Sequence, residues 1–258
     1  YREVSSTPNP VTLRWDGRDG PIERDILRPS LLDVTLHPYA RAEANTWMIF
    51  PYEIVNGART TAQLIQPADM ARRFPLCLAY LTARQADLQR RNIVGGTAAT
   101  RQFYQFGRSQ SLTKFDSPKI ILPILSRDAR YAYDDTNIMM TGGGNGPYYL
   151  IRPRDGAPET NFFLLAVLHH PLTEAMVRTH TSPFRGGYYS HGKQFIEHLP
   201  IPPATRAERA NIEALVTQLI AANDAAQAAR VPHQKTLHVR NAAALRDQIE
   251  GLVTALFG

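Results

Sequence analysis

A hydrophobic period, broken once by proline, limits the C-terminal end of this chain to a single architecture. Ile212, Leu215, Val216, Leu219 and Ile220 fall at i, i+3, i+4, i+7 and i+8. That spacing gathers them on one stripe of an α-helix and scatters them over both faces of a strand. Leu245, Ile249, Leu252, Val253 and Leu256 repeat the logic after Pro232 has interrupted the chain. Two amphipathic helices over 204–258, able to pack on each other or on a partner, are therefore predicted. Packing helices are common, so the pattern speaks to architecture and not to function.

Upstream the signals are shorter and mixed. Residues 1–25 are rich in Pro, Gly, Asp and Arg and read as an irregular lead-in. Trp47-Met48-Ile49-Phe50, ended by Pro51, predicts a strand. A helix is expected from Pro67 and Asp69, and Pro75 opens a second one running from Leu76 to about Arg91. Beyond Gly95-Gly96, the run Lys119 to Leu125 predicts a buried strand with Ile120, Leu122 and Ile124 in the core. Tyr131–Tyr133 and Ile138–Thr141 suggest further strands, and glycines between 142 and 146 turn the chain into Tyr148–Ile151. Asn161 to about Thr179 reads as helix, disturbed or split at His169-His170-Pro171. The expected fold class is α+β, with a mixed strand-rich body over 26–203, flanking helices and the C-terminal helical pair.

The chain has 258 residues, 43% of them apolar, enough to bury a core. No apolar run reaches the roughly 18 residues a membrane span needs, so no membrane partner is expected. Its one cysteine, Cys77, excludes an internal disulfide framework and a thiolate zinc cluster. In its apolar setting it reads as a small buried hydrophobe, and a reducing cytoplasm is expected. The chain opens Tyr1-Arg2-Glu3-Val4-Ser5 without a signal-peptide pattern, and is expected to start at an internal boundary of a longer polypeptide.

Net charge is +6, unevenly spread. From Arg72 to Arg130 there are eleven Arg or Lys against three acids, a local charge of +8 that leaves −2 for everything else. A local basic excess in near-neutral surroundings is the footprint of polyanion binding, although a solvated surface is the alternative.

Catalytic patterns are absent. Gly192-Lys193-Gln194 lacks the hydroxyl of a phosphate-cradling loop, and the 142–146 glycines lead into Pro147 and tyrosines. His191 and His198 are too far apart for one helical turn of a zinc hydrolase, and no Gly-x-Ser-x-Gly elbow occurs. Asp134-Asp135 has no Glu-x-Lys to complete a nuclease metal site. A base-gripping Asn/Asp-Pro-Pro-Tyr/Phe segment is missing too.

Three stretches concentrate polar and aromatic readers. The first is Arg101-Gln102-Phe103-Tyr104-Gln105-Phe106-Gly107-Arg108-Ser109-Gln110, leading into Lys119–Pro123. The second is Gly187-Tyr188-Tyr189-Ser190-His191-Gly192-Lys193-Gln194-Phe195, and the third is Leu199-Pro200-Ile201-Pro202-Pro203 with Glu208 and Ile212 opening the next helix. Together, from about 24 to 257, they resemble the TaqI-like C-terminal specificity domain of type IIG restriction-modification enzymes and N6-adenine DNA methyltransferases. The hinge and helix are also similar to the specificity subunits of type I restriction systems.

That resemblance implies a target recognition domain that docks on double-stranded DNA beside an N-terminal methyltransferase domain of the same polypeptide. S-adenosylmethionine belongs to that other domain, and no cofactor is expected in this segment. The fragment itself is expected to be non-catalytic, while the parent enzyme methylates adenine and carries a possible endonuclease. Arg grips guanine and Gln or Asn grips adenine through paired hydrogen bonds, whereas Lys and most Arg fall on phosphates. The candidate readers are Arg101, Arg108, Gln110 and Lys114 in one loop, and Arg185, Tyr188, Tyr189, His191, Lys193 and Gln194 in another. Asn145 is a third site. Both loops are expected on one concave wall. Two rivals stay open: a nuclease with a degenerate metal site using Lys119, Asp134 and Asp135, and a protein-interaction module built on the helices at 205–257.

Overall fold

A computed structural model describes residues 2–5, 10–15, 17–94, 101–109, 111–140 and 147–258. Gln110, Asn145, the Gly95-Gly96 pair and the 142–146 glycines lie outside the described residues. The fold is α+β, and the chain forms two compact units. The first gathers 1–34, 44–117 and 136–143; the second gathers 35–43, 118–135 and 144–258. The C-terminal helical pair falls in the second unit, together with that unit's sheet.

In the first unit, strands β1 (Arg2–Ser5), β2 (Val11–Trp15) and β3 (Arg18–Ile22) make an antiparallel meander. The expectation of an irregular lead-in is corrected here. Val11, Leu13 and Ile22 alternate inward and are fully buried, and Gly17 supplies the left-handed φ of +71° that a tight hairpin turn needs. Strand β4 (Leu27–Ser30) pairs with β5 (Thr46–Ile49), and β6 (Tyr52–Val55) with β7 (Thr61–Leu64).

Helices α1 (Pro67–Arg73), α2 (Pro75–Thr82) and α3 (Gln85–Gln89) follow, the first two opened by their prolines. The single helix expected from 76 to 91 is broken at Ala83-Arg84, where the Arg84 guanidinium folds back onto the Tyr80 carbonyl and over the Tyr80 ring. Helix α2 is seated on the meander. The Glu23 carboxylate accepts from the Leu76 and Cys77 amides at 2.8 and 2.9 Å, which meets two orphan donors with negative charge at a helix N-terminus. Burial first, and then Glu23, pushes the Cys77 thiol up to about 12, so it is an inert packing group.

Of the strand expected at Ile138–Thr141, the described residues 138–140 form no ladder, and Thr141 lies outside the described residues. Met139 makes one parallel bridge to Ser30, whose hydroxyl donates to the Met139 carbonyl at 2.7 Å.

In the second unit, β8 (Lys119–Pro123), β9 (Leu125–Ser126), β10 (Ala132–Asp134) and β11 (Tyr148–Ile151) follow in order. The sheet order is β10-β8-β11, all antiparallel. Ile120 and Leu122 on β8 pack with α4 (Asn161–His169), which is buried almost all round, and α5 (Pro171–His180) follows. His170 divides these two helices. Its backbone is extended, its Nδ1 accepts from the Leu172 amide, and Pro171 takes the first helical position.

After β12 (Tyr189–Ser190) and the short α6 (Lys193–Ile196) come α7 (Arg206–Ala228) and α8 (Pro232–Phe257). Thr205 and Glu208 form a capping box that starts α7. Ile212, Val216, Leu219, Leu245, Ile249 and Val253 are buried between the helices and α4, as the periodicity requires.

Segment 35–43 completes this unit. Tyr39 is 2% exposed and stacks on His169 at 4.3 Å, Ala42 donates to the Tyr133 carbonyl, and Asn223 donates to the Tyr39 carbonyl.

Candidate nucleic-acid interface

The loop at 101–117 belongs to the first unit and is held by aromatic side chains turned inward. Tyr104 is buried, and its hydroxyl donates to the Ile65 carbonyl at 2.8 Å. Phe106 packs edge-on against Tyr52, whose hydroxyl accepts from the Phe106 amide at 2.8 Å. The Arg91 guanidinium clamps the Phe103 and Gln105 carbonyls at 2.9 and 3.0 Å. At Gly107 a Cβ would stand 2.8 Å from the Asn92 carbonyl oxygen, so only glycine fits. Pinned in this way, the loop leaves Arg101, Arg108 and Lys114 exposed while Leu112 and Phe115 are buried. Arg108 and Asp116 form no ion pair among the described residues.

The second segment lies in the other unit. Tyr189 and Ser190 pair with Ser126 and Leu125, extending a short ribbon that ends in a tight turn at 184–188. Arg185 and Tyr188 are exposed, Tyr189 is half-buried, and Lys193 and Gln194 are exposed on α6. Lys193 lies 3.5 Å from Glu197, a solvated pair of little energetic weight.

His191 is different, and its reading as an exposed reader is corrected. It is fully buried, its amide donates to the Ile124 carbonyl at 2.7 Å, and its Nε2 meets Glu174 Oε2 at 3.0 Å. Glu174 Oε1 accepts from Arg178 at 2.8 Å, and Arg178 in turn lies over the Tyr189 ring and donates to the Arg127 carbonyl. Burial pushes the Glu174 carboxyl up, but the hydrogen bonds from His191 and Arg178 outweigh it and hold the group below its ordinary range. An ionised carboxylate with two partners thus fixes the base of the ribbon.

The basic excess between 72 and 130 is partly used internally. Arg72, Arg73, Arg90 and Arg130 pair with Asp69, Glu53, Asp87 and Asp128, and Arg84 and Arg91 sit on backbone carbonyls. Lys119 pairs with Asp134, and neither side chain is exposed. That enclosed pair cannot receive a phosphodiester without unfolding the sheet. Asp135 instead pairs with Arg41, and no cluster of three metal-ligating side chains exists among the described residues.

A cleft of about 560 Å³ in the first unit is lined by Arg28, Phe50, Tyr52, Glu53, Arg73 and Asp116, mixing both charges. The supporting roles of Arg127, Arg178 and Glu174, which shape the ribbon, escaped the sequence reading. The charge count included Arg127, but nothing local tied it to Tyr188.

The class of protein this chain is similar to is the type II restriction-modification enzymes and methyltransferases. It is 25% identical over 210 residues to the type II restriction enzyme and methyltransferase RM.Eco57I of Escherichia coli, covering 78% of this chain and 21% of that protein. It is 23% identical over 210 residues to the type II methyltransferase M.BanIII of Aneurinibacillus aneurinilyticus, covering 77% of this chain and 33% of that protein. The chain therefore spans a third or less of these curated relatives. Its fold is shared with the type IIL restriction-modification enzyme MmeI, solved in complex with DNA, at a TM-score of 0.56 and 13% identity over 91% of this chain and 28% of that one. No protein-family model matches the chain. No helix among the described residues is long and apolar enough to cross a membrane.

Proposed function

We propose that this chain is the target recognition module of an adenine-N6 DNA methyltransferase of a restriction-modification system. It holds duplex DNA while a methyltransferase domain of the same polypeptide, supplied with S-adenosylmethionine, acts on the target base. The observation that carries the reading is the likeness, along most of the chain, to restriction-modification enzymes of which it matches only a part. The exposed residues fit that role. Arg101, Arg108, Lys114, Arg185 and Lys193 suit phosphates or guanine, and Gln194 suits adenine. Gln110 and Asn145 remain candidates of the same kind. His191 acts through Glu174 as a positioning residue and not as a reader.

The test is duplex binding by fluorescence anisotropy over a range of salt. If about six phosphates are neutralised, log affinity falls against log salt with a slope near −5. Binding to a random-sequence duplex pool that is undetectable, or indifferent to salt, would count decisively against the reading.

A further inference from the structure

The turn at 184–188 carries an aromatic pair that the packing of the second unit does not use. Phe184 and Tyr188 form an antiparallel bridge, with the Phe184 amide donating to the Tyr188 carbonyl at 2.7 Å. Residues directly opposite each other in such a bridge project from the same face. Between them Gly186 and Gly187 take φ of +85° and +76°, which glycine alone adopts cheaply. Phe184 is left 53% exposed and Tyr188 39%.

The surroundings say what such rings suit. The Arg127 guanidinium lies 5.1 Å from the centroid of the Tyr188 ring, and its backbone carbonyl is held by Arg178 at 2.6 Å. Arg185 is exposed at the tip. An apolar protein partner would favour a wider greasy patch without cations. Two exposed rings beside guanidinium groups suit a flat aromatic group set in a polyanion, which is a nucleobase.

We propose that Phe184 and Tyr188 stack on a base at an opened or kinked step of the bound duplex, with Arg127 holding the Tyr188 ring. The inference deepens the recognition role proposed above and rests on it. Side chains wedged at a base step unstack it locally, so the contribution is separable from phosphate contacts.

The experiment uses the full chain and a duplex recovered from a random pool by the wild-type protein. Phe184→Ala with Tyr188→Ala is expected to weaken binding about ten-fold or more, with an unchanged salt slope because no charge is removed. Phe184→Trp should retain affinity. 2-Aminopurine stepped along the duplex should brighten at one position with wild type and stay dark with the double variant. The stacking role is overturned if the double variant binds as tightly as wild type. It is equally overturned if the salt slope drops with the rings, or if 2-aminopurine stays dark at every position with wild type. A wild-type chain that binds no duplex overturns the recognition reading and this inference together; wild-type binding with an indifferent double variant overturns only the inference.

Discussion

Lys119 on β8 and Asp134 on β10 are cross-strand partners whose ammonium and carboxylate meet with neither side chain exposed. Removing one charge strands the other in the sheet. Lys119→Met should cost about 3–5 kcal/mol of unfolding free energy, whereas Lys119→Met combined with Asp134→Leu should recover most of it. Urea midpoints of the two variants decide. A nuclease using Lys119 would show the single variant folded normally and inactive.

Glu174 should behave as the anchor of the ribbon. Glu174→Ala leaves Arg178 and the buried His191 without their carboxylate, at a cost of about 2 kcal/mol. Because its folded pKa lies below the unfolded one, the contribution is present at neutral pH and fades as acid protonates the carboxylate. Amide exchange should quicken selectively around 189–191.

His169 sets a second pH limit, at higher pH. Its Nδ1–H donates to the Leu165 carbonyl and its Nε2 accepts from the Tyr131 amide, a pattern only the neutral ring satisfies. Burial pushes its pKa down to about 4 from 6.5. Since the unfolded ring takes a proton first, stability is complete above about 6.5 and declines toward pH 4, by on the order of 2 kcal/mol. Denaturant midpoints at pH 7 and 4.5 should differ, and His169→Gln should narrow the gap.

The exposed candidates should separate by kind of contact. Arg108→Ala and Lys193→Ala are expected to weaken duplex binding uniformly across sequences and to lower the salt slope by about 1 each. Gln194→Ala should instead relax preference at one base position by about 1–3 kcal/mol. Competition binding against a sequence library measures both.

Legibility followed the range of the interactions. The helices at 206–257 were readable because a long apolar period needs no partner to declare itself, and His170-Pro171 announced its own break. The hairpin of β2 and β3 was also written locally, in Val11/Leu13 alternation followed by Asp16-Gly17, but charged neighbours masked it. Lys119 and His191 were opaque for another reason. A polar group inside an apolar run is buried only if a partner comes to it, and Asp134 and Glu174 are distant in sequence. The ribbon's aromatic tip was visible as composition, while its support by Arg127 and Arg178 depended on tertiary approach.

The interleaving of the two units governs how this protein must be made and cut. Segment 35–43 is synthesised well before Asn223 and Arg246, which hold its Tyr39 from far along the chain. The Tyr39 ring therefore stays unhoused until the two later helices that carry them have also been made. For the same reason no scissile point near residue 117 yields two self-sufficient halves: the C-terminal piece would lack the tyrosine that stacks on His169, and a shortened version trimmed from either end would lose that closure before it lost the exposed basic loops.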